Sequence, residues 1–433
     1  MNDNNVFTNE ECVGCNLCIL KCPCEEANVA YKKDDQYKVY VDDSKCIACG
    51  ECIRVCKHDA RDYTDDTERF FNDLKLGKQI SLIVAPALRS NIPEWPQLLG
   101  YLKSLGVNAI FDTSYGADIC TWAYLRYIET HNVKSLIAQP CPAIVNYIEY
   151  YIPEQLSRLA PIHSPAMCIA IYMKKYKKID EPYAFLSPCI AKSDEFNCPN
   201  TEGLIGYNVT FKKLMEYLDE NNIDFKASAP IEYDNEEHGF GSIFSSPGGF
   251  RANVEQYIQD EWIYQVEGQP EAARFLHEYA SEKSNTPFLV DILNCQNGCN
   301  AGPGACRSEH DKYEVDKAMH VVKKKTAENK SNGELPPGPD FERLDKELNL
   351  ADFQRQYSPR KITPMFVERS ELEEAFIAMY KPTSDLRTHD CRRCGFATCQ
   401  EMATAIAKGI NHEENCIDYY RGILKEQKAG GTL

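Results

Sequence analysis

Short apolar runs and amphipathic stretches alternate through the middle of the chain. The run Ser81-Leu82-Ile83-Val84-Ala85, inside Ile80 to Pro86, reads as a buried strand stopped by a proline. Ala109-Ile110-Phe111, Ser135-Leu136-Ile137-Ala138, Tyr183-Ala184-Phe185-Leu186 and Phe288 to Leu293 repeat the pattern. Between them, Trp95 to Leu105 and Ala117 to Thr130 read as helices, and Thr64 to Lys78 as a helix leading into the first strand. The alternation predicts an α/β domain. Further on, Lys330 to Pro339 is a turn-rich linker. Beyond it, Phe341 to Tyr357 and Glu371 to Tyr380 read as amphipathic helices. So does Gln400 to Ile410, where Met402, Ala405 and Ile406 recur at helical spacing.

Composition narrows the function classes. The 433 residues carry 48 basic and 65 acidic side chains, a formal charge of -17, and repulsion from phosphates argues against nucleic acid as a partner. Mean hydropathy is -0.47, and no apolar run approaches the roughly 18 residues of a membrane helix. The polar, acidic opening lacks the features of a secretory signal, so a reducing cytoplasm is expected. There is no phosphate-binding or dinucleotide-binding glycine loop and no H-E-x-x-H pair, so ATP and NAD are not implied. The outlying number is 21 cysteines. A chain this long needs no disulfide staples, and thiolates at this density point to metal.

The spacing of the cysteines gives the metal. Cys12-x2-Cys15-x2-Cys18-x3-Cys22-Pro23 is repeated as Cys46-x2-Cys49-x2-Cys52-x3-Cys56, the pattern of a bacterial two-cluster ferredoxin, in which the fourth cysteine of each run serves the other cluster. Cys12, Cys15, Cys18 and Cys56 would hold one 4Fe-4S cubane, and Cys46, Cys49, Cys52 and Cys22 the second. Zinc also takes four thiolates, but two interleaved runs of four are not a zinc spacing. Cys391, Cys394, Cys399 and Cys416 form a further quartet around the helix at 400–410, similar to single-cluster modules appended to anaerobic redox enzymes. In between, Gln139-Pro140-Cys141-Pro142-Ala143, Ser187-Pro188-Cys189 through Lys192 to Glu195, and Asn294-Cys295 through Cys299 to Gly302 supply four thiols from three separate loops. Each loop follows an apolar strand, where α/β sheets carry their sites.

Those three loops, in that order, resemble the signature loops of the FeFe hydrogenases. Ala85 to Arg89, Phe111 to Asp118 and Ser246 to Arg251 resemble family segments too, and the resemblance runs from about residue 8 to 320. It implies reversible H2 oxidation and proton reduction at an H-cluster, a cubane joined to a two-iron unit with carbonyl, cyanide and dithiolate ligands. Cys141, Cys189, Cys295 and Cys299 would hold the cubane, with Cys299 bridging to the two-iron unit. Lys192 would donate to a cyanide, and Pro86 and Gly248 would lie against the cofactor. The implied architecture is an α/β catalytic domain (79–329) flanked by a small α+β two-cluster ferredoxin domain with its linking helix (1–78) and, after a linker at 330–340, a mostly helical 4Fe-4S domain (341–433). An external carrier such as ferredoxin and hydrogenase maturation proteins are the implied partners, besides H2 and protons.

The departures from the family pattern matter as well. A proton-relaying cysteine usually precedes the first ligand; here Pro140 stands there, with neither side-chain proton nor backbone N–H. Ser187 and Leu293 replace family methionines. These changes resemble the group B branch, with its Q-P-C-P first loop and extra C-terminal cluster. A substitute proton donor must be titratable and near the loops; Glu195, Cys168, His163 and Glu94 are the candidates, Glu195 the best placed in sequence. Two other functions remain open: an H2-sensing or regulatory protein with slow turnover, and an electron-transfer or cluster-assembly protein without the two-iron unit.

Overall fold

The computed structural model describes residues 6–430 apart from 25, 202, 236–238, 282–284, 332–339 and 364, so most of the linker expected at 330–340 lies outside the described residues. The chain divides into two compact units, one made of residues 1–64 with 361–433, the other of residues 65–360.

In the first unit, β1 (Val6–Thr8), β2 (Asn28–Lys33), β3 (Gln36–Val41) and β4 (Arg61–Tyr63) form two antiparallel pairs, β1 with β4 and β2 with β3. The repeat seen in the cysteine spacing is also a backbone repeat. Gly14 and Asn16 (φ 65° and 61°) match Ala48 and Gly50 (φ 54° and 74°), all left-handed. Each pair is followed by a five-residue helix, Leu17–Lys21 or Glu51–Val55. Left-handed residues turn the chain tightly enough for one short loop to aim several side chains at a common point. The C-terminal part of the unit is built mainly on helices Arg369–Ala378, Cys399–Ala407 and Ile417–Gly430. Thr398 and Glu401 form a capping box at the start of the second, and Phe376, Met379, Met402 and Ala403 pack into a small core with Cys394, Cys399 and Cys416.

The second unit carries two parallel sheets. In one, the order is β6 (Ile110–Asp112), β5 (Ser81–Val84), β8 (Tyr183–Ser187), β9 (Ile205–Thr210). In the other it is β10 (Ile263–Glu267), β11 (Leu289–Leu293), β7 (Leu136–Ile137). Every residue of β5, β6, β7, β8 and β11 is buried, because parallel strands are covered on both faces. The helix Thr113–Thr130 begins directly behind β6, where Asp112 caps it by accepting from the Ser114 N–H at 2.8 Å. It is buried from Thr113 to Leu125.

One expected helix is corrected. Only Phe341–Glu347 of the stretch 341–357 is helical; a short 3-10 turn, Leu350–Phe353, and extended chain follow. This segment is a strap on the second unit rather than part of the C-terminal module, and its side chains follow local partners instead of a helical stripe. Asp345 accepts from Trp122 (2.8 Å) and Arg126. Phe353 is fully buried and stacks on Tyr176, and the Tyr357 hydroxyl donates to the Ala160 carbonyl at 2.7 Å. Tertiary contact outweighs helix propensity here.

Candidate metal centres

Five strands of the second unit deliver their carboxyl ends to one cavity of about 90 Å³, which has room for several water-sized groups. Ala85, Pro86 and Ala87 follow β5 and Thr113 follows β6. Pro140 and Cys141 come after β7, Pro188, Cys189 and Lys192 after β8, and the stretch from Leu293 to Cys299 leaves β11. The four thiols Cys141, Cys189, Cys295 and Cys299 therefore line one space, although 158 residues separate the first from the last. Burial raises all four, and repulsion from neighbouring thiols adds to it at Cys189, Cys295 and Cys299: Cys295 is pushed well above its ordinary value with Cys141, Cys189 and Cys299 contributing, and Cys299 reaches about 12. Buried thiols crowded in this way are relieved by binding metal as thiolates. The Thr113 hydroxyl is buried against the same cavity with no hydrogen-bond partner among the described residues, so the donor set includes a group waiting for an acceptor. Four thiols, an ammonium and a spare hydroxyl suit an anionic sulfur-rich cluster.

Lys192 enters the cavity wall with its charge fixed from behind. Its ammonium donates to the Ser164 hydroxyl at 3.1 Å and the Pro140 carbonyl at 3.4 Å, and forms a buried ion pair with Glu195. Glu195 in turn pairs with Arg355 at 3.1 Å. Burial alone would raise the Glu195 carboxyl, but Lys192 and Arg355 outweigh it and hold the group below the usual range. Arg355 belongs to the strap, and nothing in its sequence context marks it as part of a site.

The other expected residues are distributed differently. Gly248 (φ 68°) caps the helix Gly249–Val254 and packs against Gln265, while Phe244 and Ser245 line the cavity from that region. Cys168 is fully buried and donates to the His163 carbonyl at 3.3 Å, as Cys120 does at 3.4 Å. Burial and then Cys120 drive its thiol well above the ordinary range. Neither Cys168 nor Glu195 is among the cavity-lining residues. Glu94 stands before the helix Trp95–Ser104 and pairs with Lys226 at 3.2 Å. His163 is buried with its Nδ1 unpartnered among the described residues; the cap before Pro165 is Ser164, accepting from the Met167 N–H. β11 also carries a buried carboxyl: Asp291 is raised to about 7 by burial, in spite of a 3.0 Å bond from the Arg251 N–H. Its signal was a lone acid inside an apolar run.

In the first unit, Cys18 is raised by burial and then by Cys12 and Cys15. Cys49 is raised by burial and then by Cys22, Cys46 and Cys52. Cys12 and Cys15 thus lie near Cys18, and Cys22 lies near Cys46, Cys49 and Cys52, with Arg61 donating to Cys18 Sγ at 3.2 Å and to Asn28 at 2.8 Å. Cys24, buried beside Cys22, Cys46 and Cys49, is a further thiol there. Cys391, Cys394, Cys399 and Cys416 line a single small cavity. Lys381 stands beside it, buried, close to Cys399 and Cys416 and paired with Asp418. The Asp390 N–H donates to Cys399 Sγ at 3.3 Å, a contact suited to a thiolate.

Comparison with known proteins agrees with this geometry. The family model "Iron only hydrogenase large subunit, C-terminal domain" matches residues 78–303, a 4Fe-4S dicluster domain matches 11–60, and an Fe-S cluster family matches 389–417. Iron hydrogenase 1 of Clostridium pasteurianum is 26% identical over 347 residues, covering 61% of this chain and 59% of its own length. The cytosolic Fe-S cluster assembly factor NAR1 of Encephalitozoon cuniculi is 23% identical over 299 residues, covering 60% and 79%. The chain thus spans less than two thirds of the Clostridium relative. The FeFe-hydrogenase HydA1 from Chlamydomonas reinhardtii superposes with a TM-score of 0.52 at 16% identity, covering 69% of this chain and 100% of that one, which is a likeness of fold. No helix among the described residues is long and apolar enough to cross a membrane. With more than half its residues under that model and iron–sulfur segments on either side, the chain belongs to the iron-only hydrogenase large-subunit family.

Proposed function

We propose that the chain oxidises H2 and reduces protons reversibly at an H-cluster, as a group B-like FeFe hydrogenase that exchanges electrons with an external carrier such as ferredoxin. The observation that carries this reading is the single cavity in which four thiols from three loops face the Lys192 ammonium. When bound, the cubane-linked two-iron unit supplies the site at which H2 is split or formed. Cys141, Cys189, Cys295 and Cys299 hold the cubane. Lys192, braced by Glu195 and Ser164, presents a fixed cation to an electron-rich ligand. Thr113 offers a hydroxyl to the same group. Pro140, which also lines the cavity, has no proton to give. Glu195 stays ionised between two cations, which makes it a poor acid and a good anchor. Two cubanes lie in the ferredoxin module, on Cys12, Cys15, Cys18 and Cys56 and on Cys22, Cys46, Cys49 and Cys52; a third is held by Cys391, Cys394, Cys399 and Cys416. A cytoplasmic setting and insertion of the two-iron unit by maturation proteins complete the reading.

Anaerobically matured protein should show carbonyl and cyanide infrared bands. Full cubane loading without those bands overturns the proposal. It would favour the second reading, an electron-transfer or cluster-assembly protein, towards which the likeness to NAR1 points. Iron analysis separates the two by the irons of the two-iron unit. Pro140 keeps a third role in view, slow H2 sensing, which bands with feeble turnover under a strong artificial reductant would indicate.

A further inference from the structure

The C-terminal module touches the ferredoxin module at one ligand loop of each. Gly395, next to Cys394, is left-handed at φ 88°. A side-chain carbon there would lie 2.8 Å from the Asn16 carbonyl oxygen and 3.1 Å from the Ile19 Cβ. Asn16 sits between Cys15 and Cys18, and Ile19 follows Cys18. Consecutive Cα atoms are about 3.8 Å apart, so the backbones of Cys394 and Cys15 approach within about 14 Å. The approach is held by several bonds. Lys408 forms a half-buried ion pair with Glu26, which also pairs with Lys45 at 2.9 Å. The Ala30 N–H donates to the Ile410 carbonyl at 3.0 Å, and the Tyr37 and His412 rings lie 5.8 Å apart. Asp390 and Arg392, in the same loop as Gly395, also take positive φ (41° and 60°). Left-handed backbone at non-glycine residues is costly and persists where its surroundings demand it.

We propose that the Gly395–Asn16 contact is an electron crossing, which joins the centre on Cys391, Cys394, Cys399 and Cys416 in series with the centre on Cys12, Cys15, Cys18 and Cys56. The inference rests on the ligand sets proposed above. One electron leaves the reduced C-terminal centre, which is oxidised, and reduces the ferredoxin-type centre; a one-electron carrier of the ferredoxin class replaces it. Gly395 is required because any side chain would push the two loops apart. Lys408 and Glu26 hold the register without touching either centre's ligands.

The test uses the full chain, loaded anaerobically with iron and sulfide and reduced with dithionite. Pulsed electron paramagnetic resonance should show the N-terminal signals relaxing severalfold faster than in a Cys391→Ala/Cys394→Ala variant. Gly395→Leu, which keeps every cysteine, should retain the iron and lose most of that enhancement, and Lys408→Glu should act in the same direction. A spectrum equal to the sum of non-interacting centres, or an unchanged enhancement in Gly395→Leu, overturns the crossing alone. Iron content that does not fall in the double-cysteine variant overturns the ligand set and the crossing with it.

Discussion

The Lys192 ammonium donates to the carbonyl oxygen of Pro140 across 3.4 Å. The residue standing at the usual relay position is therefore tied to the cavity's one lysine by its backbone. Lys192→Met should leave the four cysteines in place and cubane iron unchanged, while the cyanide bands of matured protein shift or vanish. Glu195 would remain buried with Arg355 as its one charged partner, at a cost of about 3 kcal/mol in unfolding free energy. Wild-type bands in the variant would contradict the assignment.

Arg355→Leu should destabilise the protein by a similar amount, about 3 kcal/mol, since it leaves a carboxylate that is 2% exposed with Lys192 as its one charged partner. Arg355→Lys should recover part of the loss. Denaturant unfolding of all three proteins at one ionic strength checks the order.

Thr113→Val separates the empty cavity from the filled one. In cofactor-free protein the substitution removes a buried hydroxyl that has no partner, so stability should hold or rise by about 1 kcal/mol. In matured protein it removes a donor, and retention of the two-iron unit should fall. Equal destabilisation in both forms would show that Thr113 serves packing alone.

His163 gives the pH dependence. Burial, with Arg355 adding to it, lowers its imidazole to about 4, whereas the unfolded side chain titrates near 6.5. Unfolded chains bind this proton first, so the stability contributed is complete above about 6.5 and lost as pH falls towards 4, on the order of 3 kcal/mol. His163→Gln should flatten the slope of stability against pH between 5 and 6.5. An unchanged slope would assign the loss to other groups.

Cys22→Ala should remove a cluster and Cys24→Ala should not. Both thiols stand at the second ferredoxin set, separated only by Pro23, but only Cys22 has the ligand spacing. Iron content of the two variants decides.

The cysteine grammar and the strands β5 to β8 and β11 were legible because both are local: fixed gaps between ligands, and continuous apolar runs that need covering on two faces. Three further features were not. β9 and β10 carry mixed residues, such as Ile205-Gly206-Tyr207-Asn208 and Ile263-Tyr264-Gln265, and pair only because β8 and β11 offer them an edge. Arg355 looks like any surface arginine until the strap returns it to Glu195. Gly248, inviting as a close-approach glycine, spends its left-handed φ on a helix start beside Gln265. In each case a distant partner, absent from the local pattern, determines the role.

The first unit is written at both ends of the chain, and this sets the order in which the protein is completed during synthesis. Asn16, Glu26 and Ala30 leave the ribosome early; Gly395, Lys408 and Ile410, which they must meet, leave after the whole of residues 65–360. Domains fold as they emerge, so the second unit closes around its cavity while the ferredoxin module still lacks its C-terminal partner. A chain ending at residue 360 would hold the whole of the second unit and only the first half of the other.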